Sequence, residues 1–321
     1  MRAFQLFEAG QPPALVSLAT PVPGLGQILV KIEACGLNFA DLLMIKGSYQ
    51  DTPEPPFTLG LEVAGRIEAL GDGVTGLSVG ERVAIFAGQG GLAEYGIFDA
   101  ARAVPIPDAM PSDEAAGFLV AYGTSHLALT RRAQLQKGER VVVLGAAGGV
   151  GLTAVEIATC LGAEVTAIAR GTGKLKVAQQ AGARHLIDAE SEDIRSQIRS
   201  LGGADVVYDA VGGDLFQEAF RATNREGRIL SIGFASGDVP RVPANHLLVK
   251  NISLLGFYWG GYMAFAPDVL RQSLADLFEL YREGRLRPHI SARFPLEQAD
   301  RALELLKSRK STGKVVVTMG D

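Results

Sequence analysis

The sequence predicts an α/β protein of two domains, one β-rich and one built on a doubly wound parallel sheet. Three observations predict this. At 321 residues the chain exceeds what one hydrophobic core ordinarily supports. Its first third holds short runs of β-branched and alternating residues parted by Gly and Pro turn signals. From Pro111 onward, strand-like apolar runs alternate with helix-like stretches, which is the rhythm of βα units.

Taken in order, the β-rich part comprises strands over 27–33 (QILVKIE), 61–70 (LEVAGRIEAL), 81–86 and 92–98, with turns at PVPGLG, GDGVTG and AGQGG. One short helix is expected at 39–46. Ser112 offers an N-cap to a helix over 112–129 with an acidic first turn. Strands follow at 140–144, 164–169, 185–188, 204–209, 228–233 and 252–257, with helices at 150–161, 174–181, 193–200 and 215–223. The tail carries helices at 268–284 and 296–308 and one strand at 314–318. A single strand forms no core of its own, so the tail is expected to pack on the N-terminal β region. The expected domains are 1–117 with 258–321, discontinuous and β-rich, and 118–257, the parallel sheet.

Composition narrows the function classes. No stretch approaches the ~18 uninterrupted apolar residues of a membrane span, and no signal peptide is visible in MRAFQLFEAGQPP. With 2 cysteines and no pairing pattern, disulfides are not expected and a reducing cytoplasm is the natural compartment. A net charge of −4 without basic runs argues against nucleic acid as a partner.

The most informative segment is RVVVLGAAGGVG, a strand, a small-residue turn and a helix start. Gly145, Ala146, Gly148, Gly149, Val150 and Gly151 occupy the turn. Glycines there permit positive φ, let a diphosphate approach the backbone and let the helix pack close to the strand. Amides at the helix N-terminus and the helix dipole then complement the phosphate charge. Because the turn follows a strand and opens a series of βα units, it reads as a dinucleotide site. The second strand, VTAIAR, ends on Arg170 rather than the Asp or Glu that binds a ribose 2′-hydroxyl, and Lys174 follows. Two cations suit the 2′-phosphate of NADPH; the alternative is that both are solvated surface cations.

These residues resemble the zinc-free quinone oxidoreductases of the medium-chain dehydrogenase/reductase superfamily. GAAGGVG is similar to the family's cofactor turn, with Gly145 where alanine is usual. ACGLNFADLLMIKGSY, LGLEVAGRIEALGDGV, VGERV, GLAEY, YDAVGG, SIGFASG and STGKVVV fit in order along nearly the whole chain. The resemblance implies a GroES-like catalytic domain plus a Rossmann NADPH-binding domain, and a homodimer. Where zinc-dependent members place a catalytic Cys and a His, this chain has Asn38 and Leu61, and leucine has no lone pair to give. No metal is expected, and His126, His185, His246 and His289 show no ligand spacing.

A metal-free site suits acceptors that are already polarised, such as quinones and α,β-unsaturated carbonyls. The resemblance assigns catalytic positions to Asn38, as a donor toward a developing oxyanion, to Asp41, which alternatively caps a short helix, and to Tyr49, a proton donor or an aromatic wall. Gly233, Phe234 and Ala235 follow the fifth nucleotide-domain strand, and Phe257, Tyr258 and Trp259 follow the sixth, where cofactor and acceptor are expected. Tyr49, Tyr258 and Trp259 would line the acceptor pocket; Tyr122, Thr124 and Lys314 fall in family-like segments near the cofactor. The expected activity is NADPH-dependent quinone reduction. The alternatives are an enoyl or alkenal double-bond reductase and a non-catalytic NADPH-binding protein of the crystallin kind.

Overall fold

The computed structural model describes residues 1–320, which form two compact units: Met1–Val120 with the stretch from Pro288 onward, and Ala121–Arg287. The first unit is built on a seven-stranded sheet. Its path runs Ile290–Pro295, Lys314–Thr318, Gln27–Gly36, Glu62–Leu70, Arg82–Phe86 and Ala103–Pro105, and Tyr95–Asp99 pairs with Gln27–Gly36 off that path. All pairs are antiparallel except Ile290–Pro295 beside Lys314–Thr318. Alternation explains the inward face: Ile28, Val30 and Ile32 point into a core with Val63, Ile67, Val83, Ile85, Val315 and Val317, while Lys31 faces water. A smaller antiparallel sheet of Ala14–Ser17, Arg2–Leu6 and Phe57–Thr58 adds Leu6 and Phe57 to the same core.

The second unit has a wholly parallel six-stranded sheet, in the order His185–Asp188, Glu164–Ala169, Arg140–Leu144, Ala204–Asp209, Thr223–Ser231 and Ser253–Gly256. Its first strand in the chain is central and reads VVVL because both faces are covered, and Val141, Val142, Val143 and Leu144 are all buried. Helices Gly149–Cys160, Gly171–Gln180, Ile194–Ser200 and Gly213–Ala222 follow successive strands. In a parallel sheet all carboxyl ends share one edge, so the loops after Leu144, Ala169, Asp188, Asp209, Ser231 and Gly256 gather there.

Four expectations are corrected. The tail contains two strands, because Ile290–Pro295 pairs with Lys314–Thr318, and it joins the larger sheet of the first unit. Residues 258–287 belong to the parallel-sheet unit. Their helix Pro267–Arg282 is held there by Ser273 Oγ on His126 Nδ1 at 2.8 Å, and the chain beyond it by Arg287 N–H on Glu156 at 2.6 Å. The helix expected over 112–129 is broken at Gly117 into Ser112–Ala116 and Leu119–Leu127, and Pro111 occupies the cap position while Ser112 Oγ donates to Glu33. A helix not foreseen, Ala244–Lys250, precedes the last strand.

Helix Gly149–Cys160 lies so close to the preceding strand that a Cβ on Gly151 would stand 2.1 Å from the Gly145 carbonyl oxygen. Gly151→Ala therefore forces the backbone apart and is expected to cost about 1–3 kcal/mol of stability, read by urea denaturation; an unchanged midpoint would contradict this packing.

Candidate functional site

In the parallel-sheet unit the glycine turn has the shape expected of a phosphate cradle. Gly145 has φ +69°, and Gly148 N–H closes the turn on Gly145 O at 2.9 Å. The first-turn amides of Gly149, Val150 and Gly151 have no intrahelical acceptor by the geometry of a helix start. The Val150 carbonyl is fixed from behind: Ser125 Oγ donates to it at 2.9 Å and Thr153 Oγ1 at 3.0 Å, and Ser125 also meets the fully buried Tyr208 hydroxyl at 3.0 Å. Arg170 follows the neighbouring strand, is exposed and, among the described residues, engages no acid. Around it Gly171 and Gly173 face open space, since a Cβ on either would meet nothing within 4 Å. Lys174 is half-buried in the first turn of the same helix. Small-residue backbone, free amides and an unpaired guanidinium together fit a dinucleotide bearing phosphate charge.

The loop Gly233–Ala235 is tied to the strand Ala204–Asp209 and the turn after it, through Gly233 N–H on Asp209 O at 3.3 Å and Ala235 N–H on Ala210 O at 3.1 Å. Phe234 is 38% exposed on this loop. Asp209 itself was not singled out from the sequence. Its buried carboxylate accepts Val211 and Gly212 N–H at 2.8 and 2.9 Å and so shapes the turn after its strand, and burial raises its pKa against those two bonds. An acid closing the apolar run VVYD is the signal that points to it.

Four residues expected at the cofactor or acceptor are buried inside the unit. Tyr122 is buried and its hydroxyl donates to Glu156 at 2.5 Å. Thr124 is buried in the same helix. Trp259 is only 4% exposed and packs over Gly123, where a Cβ would come within 2.5 Å of the indole nitrogen, so the ring fills the unit's interior. Phe257 is likewise buried, 5.7 Å from the Tyr262 ring, which leaves Tyr258, 39% exposed, as the open member of the trio.

The β-rich unit brings Asn38, Asp41 and Lys314 together around a residue the sequence reading passed over, Glu62. The Lys314 ammonium donates to Glu62 Oε1 at 2.6 Å, Asn38 Oδ1 at 2.8 Å and the Leu37 carbonyl at 2.7 Å. Glu62 Oε1 also accepts Asn38 Nδ2 at 3.0 Å, and Oε2 accepts the Val120 N–H at 3.0 Å. Both charged side chains are almost wholly buried, and all three ammonium protons have acceptors. Glycine makes the room: a Cβ on Gly36 would meet Ala116 O at 2.1 Å and Glu62 Oε1 at 3.0 Å. Two acid–base letters embedded in apolar strands, the Glu of LEVAG and the Lys of KVVV, are the signal that finds the pair.

This geometry changes two expected roles. Asn38 Nδ2 spends its hydrogens on Gly36 O at 3.2 Å and on Glu62, so the amide is a link in the cluster and has no donor left for an oxyanion. Lys314, expected at the cofactor, is the ammonium of an internal ion pair. Asp41 accepts Asn38 N–H at 2.8 Å and Gly60 N–H at 3.2 Å, holding the start of helix Phe39–Ile45, and burial pushes its pKa up to about 7 against the lowering effect of those bonds and of Lys314. Burial first, then the Asp41 and Glu62 charges, keeps the Cys35 thiol well above its ordinary pKa. Tyr49 stands half-buried beside the unit's core, in a turn closed by Thr52 Oγ1 on its carbonyl at 2.7 Å.

Leu61 is buried in the apolar core, and among the described residues no three His, Cys, Asp or Glu side chains are grouped to hold a metal ion. Each histidine has a structural partner: His126 with Ser273, His185 with Glu164, His289 with Thr312, and His246 stacked on Phe220. Among the described residues no helix is long and apolar enough to cross a membrane.

A β-rich unit joined to a parallel six-stranded nucleotide sheet with a glycine phosphate turn defines the medium-chain dehydrogenase/reductase architecture, GroES-like plus Rossmann. Residues 24–108 match the alcohol dehydrogenase GroES-like domain, and residues 149–278 match the zinc-binding dehydrogenase family. A quinone oxidoreductase-like protein 2 homolog from Nematostella vectensis is 39% identical over 323 residues, covering 98% of this chain and 88% of that protein. The quinone oxidoreductase of Thermus thermophilus, solved alone and with NADPH, superposes with a TM-score of 0.87 at 34% identity, covering 99% of this chain and 100% of that one. That of Escherichia coli, solved with NADPH, gives a TM-score of 0.91 at 28% identity and the same coverage. The chain belongs to the quinone oxidoreductase-like family of this superfamily, and it is an oxidoreductase.

Removing one partner of the buried pair leaves a bare charge in the core. Lys314→Met is expected to lower stability by about 3–5 kcal/mol, and Glu62→Gln added to it to recover part of that loss. Urea denaturation of the single and double variants checks this; a single variant as stable as the parent would contradict it.

Proposed function

We propose that this chain is a zinc-independent NADPH:quinone reductase that acts on quinones or similar conjugated carbonyls. The observation that carries the reading is the unpartnered Arg170 beside open-faced glycines, next to a glycine cradle whose helix-start amides lack acceptors. Bound NADPH would supply a hydride to an electrophilic acceptor atom. The chain's part is to bind and orient. The amides of Gly149, Val150 and Gly151 would hold the diphosphate, Arg170 with Lys174 would balance the 2′-phosphate, and the backbone of Gly233–Ala235 with exposed Phe234 would border the nicotinamide.

On the acceptor side, Asn38 and Leu61 replace the ligands that an alcohol-oxidising zinc would need. The site therefore suits acceptors that need no strong Lewis acid. The Asn38 amide is committed to Gly36 and Glu62, and the role of donating a hydrogen bond or proton to the reduced oxygen or carbon is assigned here to the phenol of Tyr49.

Loss of NADPH absorbance is to be followed against benzoquinones, naphthoquinones, alkenals and an enoyl thioester. Fastest turnover with quinones is expected, and preference for enals or thioesters would reassign the chain as a double-bond reductase. Tyr49→Phe separates the two chemistries, because a reduced quinone can take protons from water. It should alter quinone turnover little, whereas a double-bond reductase would lose about 100-fold in rate. No turnover with any acceptor would leave a non-catalytic NADPH-binding role. Arg170→Ala is expected to raise the KM for NADPH by roughly tenfold or more with little change in the KM for NADH; equal effects on both would contradict the 2′-phosphate assignment.

A further inference from the structure

The strand His185–Asp188 places a carboxylate at the same helix start that Arg170 opens. Asp188 pairs in register with Ala169, the last residue of the neighbouring strand, so its side chain lies one position from Arg170 along that edge. Its two oxygens share the Gly171 N–H, at 3.3 and 3.2 Å, and Oδ1 also accepts the Glu190 N–H at 3.0 Å. Gly171 is the first residue of the ten-residue helix Gly171–Gln180, so the carboxylate sits at the positive end of the helix dipole. Arg170, one residue earlier, forms no ion pair with it. The edge thus offers two opposite recognition chemistries side by side: a guanidinium with no internal partner and a carboxylate anchored by two amides.

From this we infer that Asp188 is a specificity-determining residue that limits how strongly this chain prefers the 2′-phosphorylated cofactor; the inference rests on the NADPH reading above. A 2′-phosphate drawn to Arg170 meets a fixed negative charge that already occupies the Gly171 amide, and the two anions repel at short range. A free ribose 2′-hydroxyl meets the same carboxylate as a hydrogen-bond acceptor, the recognition that unphosphorylated dinucleotides use elsewhere on this fold. Arg170 favours one cofactor and Asp188 the other, so the chain binds both with a modest preference.

Calorimetric binding of ADP-ribose and 2′-phospho-ADP-ribose to the full chain tests this without turnover. The parent is expected to prefer the phosphorylated compound by less than about tenfold. Asp188→Asn keeps an oxygen for Gly171 and Glu190 while removing the charge. It should tighten the phosphorylated compound by about tenfold and leave the other unchanged or weaker, with the gain shrinking at high salt. An unchanged ratio in Asp188→Asn, alongside a lowered ratio in Arg170→Ala, would overturn the role of Asp188 and leave the NADPH reading standing. A parent ratio of one that Arg170→Ala does not move would overturn both.

Discussion

The buried Lys314–Glu62 pair is the constraint on which one end of the β-rich unit depends. Taking two opposite charges out of water costs several kcal/mol each, and the cost is offset only when the ammonium protons and both carboxylate oxygens find partners. That condition is met by joining separate parts of the chain: the end of strand Gln27–Gly36 through Leu37 and Asn38, the start of Glu62–Leu70, the start of Lys314–Thr318 and the amide of Val120. The pair explains features that otherwise look unrelated. Gly36 lies against the Ala116 carbonyl and then the Glu62 carboxylate, and Gly117 against the Lys314 stem, so both positions are tight for a side chain. Asn38 is an amide because it must accept from the ammonium and donate to the carboxylate at once. Asp41 and the helix Phe39–Ile45 that leads toward Tyr49 begin from this fixed point.

The parallel-sheet unit solves a different problem, which is to present backbone amides at one edge without leaving the loops loose. Buried polar side chains hold the loops from below. Ser125, Thr153 and Tyr208 fasten the first turn behind the glycine cradle, and Asp209 fastens the turn after its own strand. The recognition groups proposed at that edge, Arg170 and Asp188, are exposed and half-buried respectively, whereas the side chains that fasten the glycine cradle and the Asp209 turn lie inside the unit.

Much of this was legible in the sequence, and the reasons for the rest are physical. The six parallel strands were readable because strands buried on both faces appear as apolar runs between helices, and the glycine turn announced its own geometry. Strands such as Phe57–Thr58 and Ile290–Pro295 escaped notice because they are short or half-exposed and carry no continuous apolar signal. Residues 258–287 were assigned to the wrong unit because Trp259, Ser273 and Arg287 are anchored by Gly123, His126 and Glu156, contacts distant in sequence. At the site, residue types were read correctly as polar and special, but motif position could not reveal which hydrogen bonds were already spent. Asn38, Tyr122 and Lys314 are engaged internally, and Glu62, which binds two of the expected residues, bears no signal except a charge inside an apolar strand.

In the proposed reaction a small acceptor is reduced by direct, oriented hydride transfer from NADPH. NADPH carrying deuterium at one or the other face of nicotinamide C4, oxidised with a naphthoquinone, tests it most directly. One labelled form alone is expected to lose its deuterium completely and to be oxidised more slowly. Partial loss of label from both forms, or no oxidation of either, would contradict it.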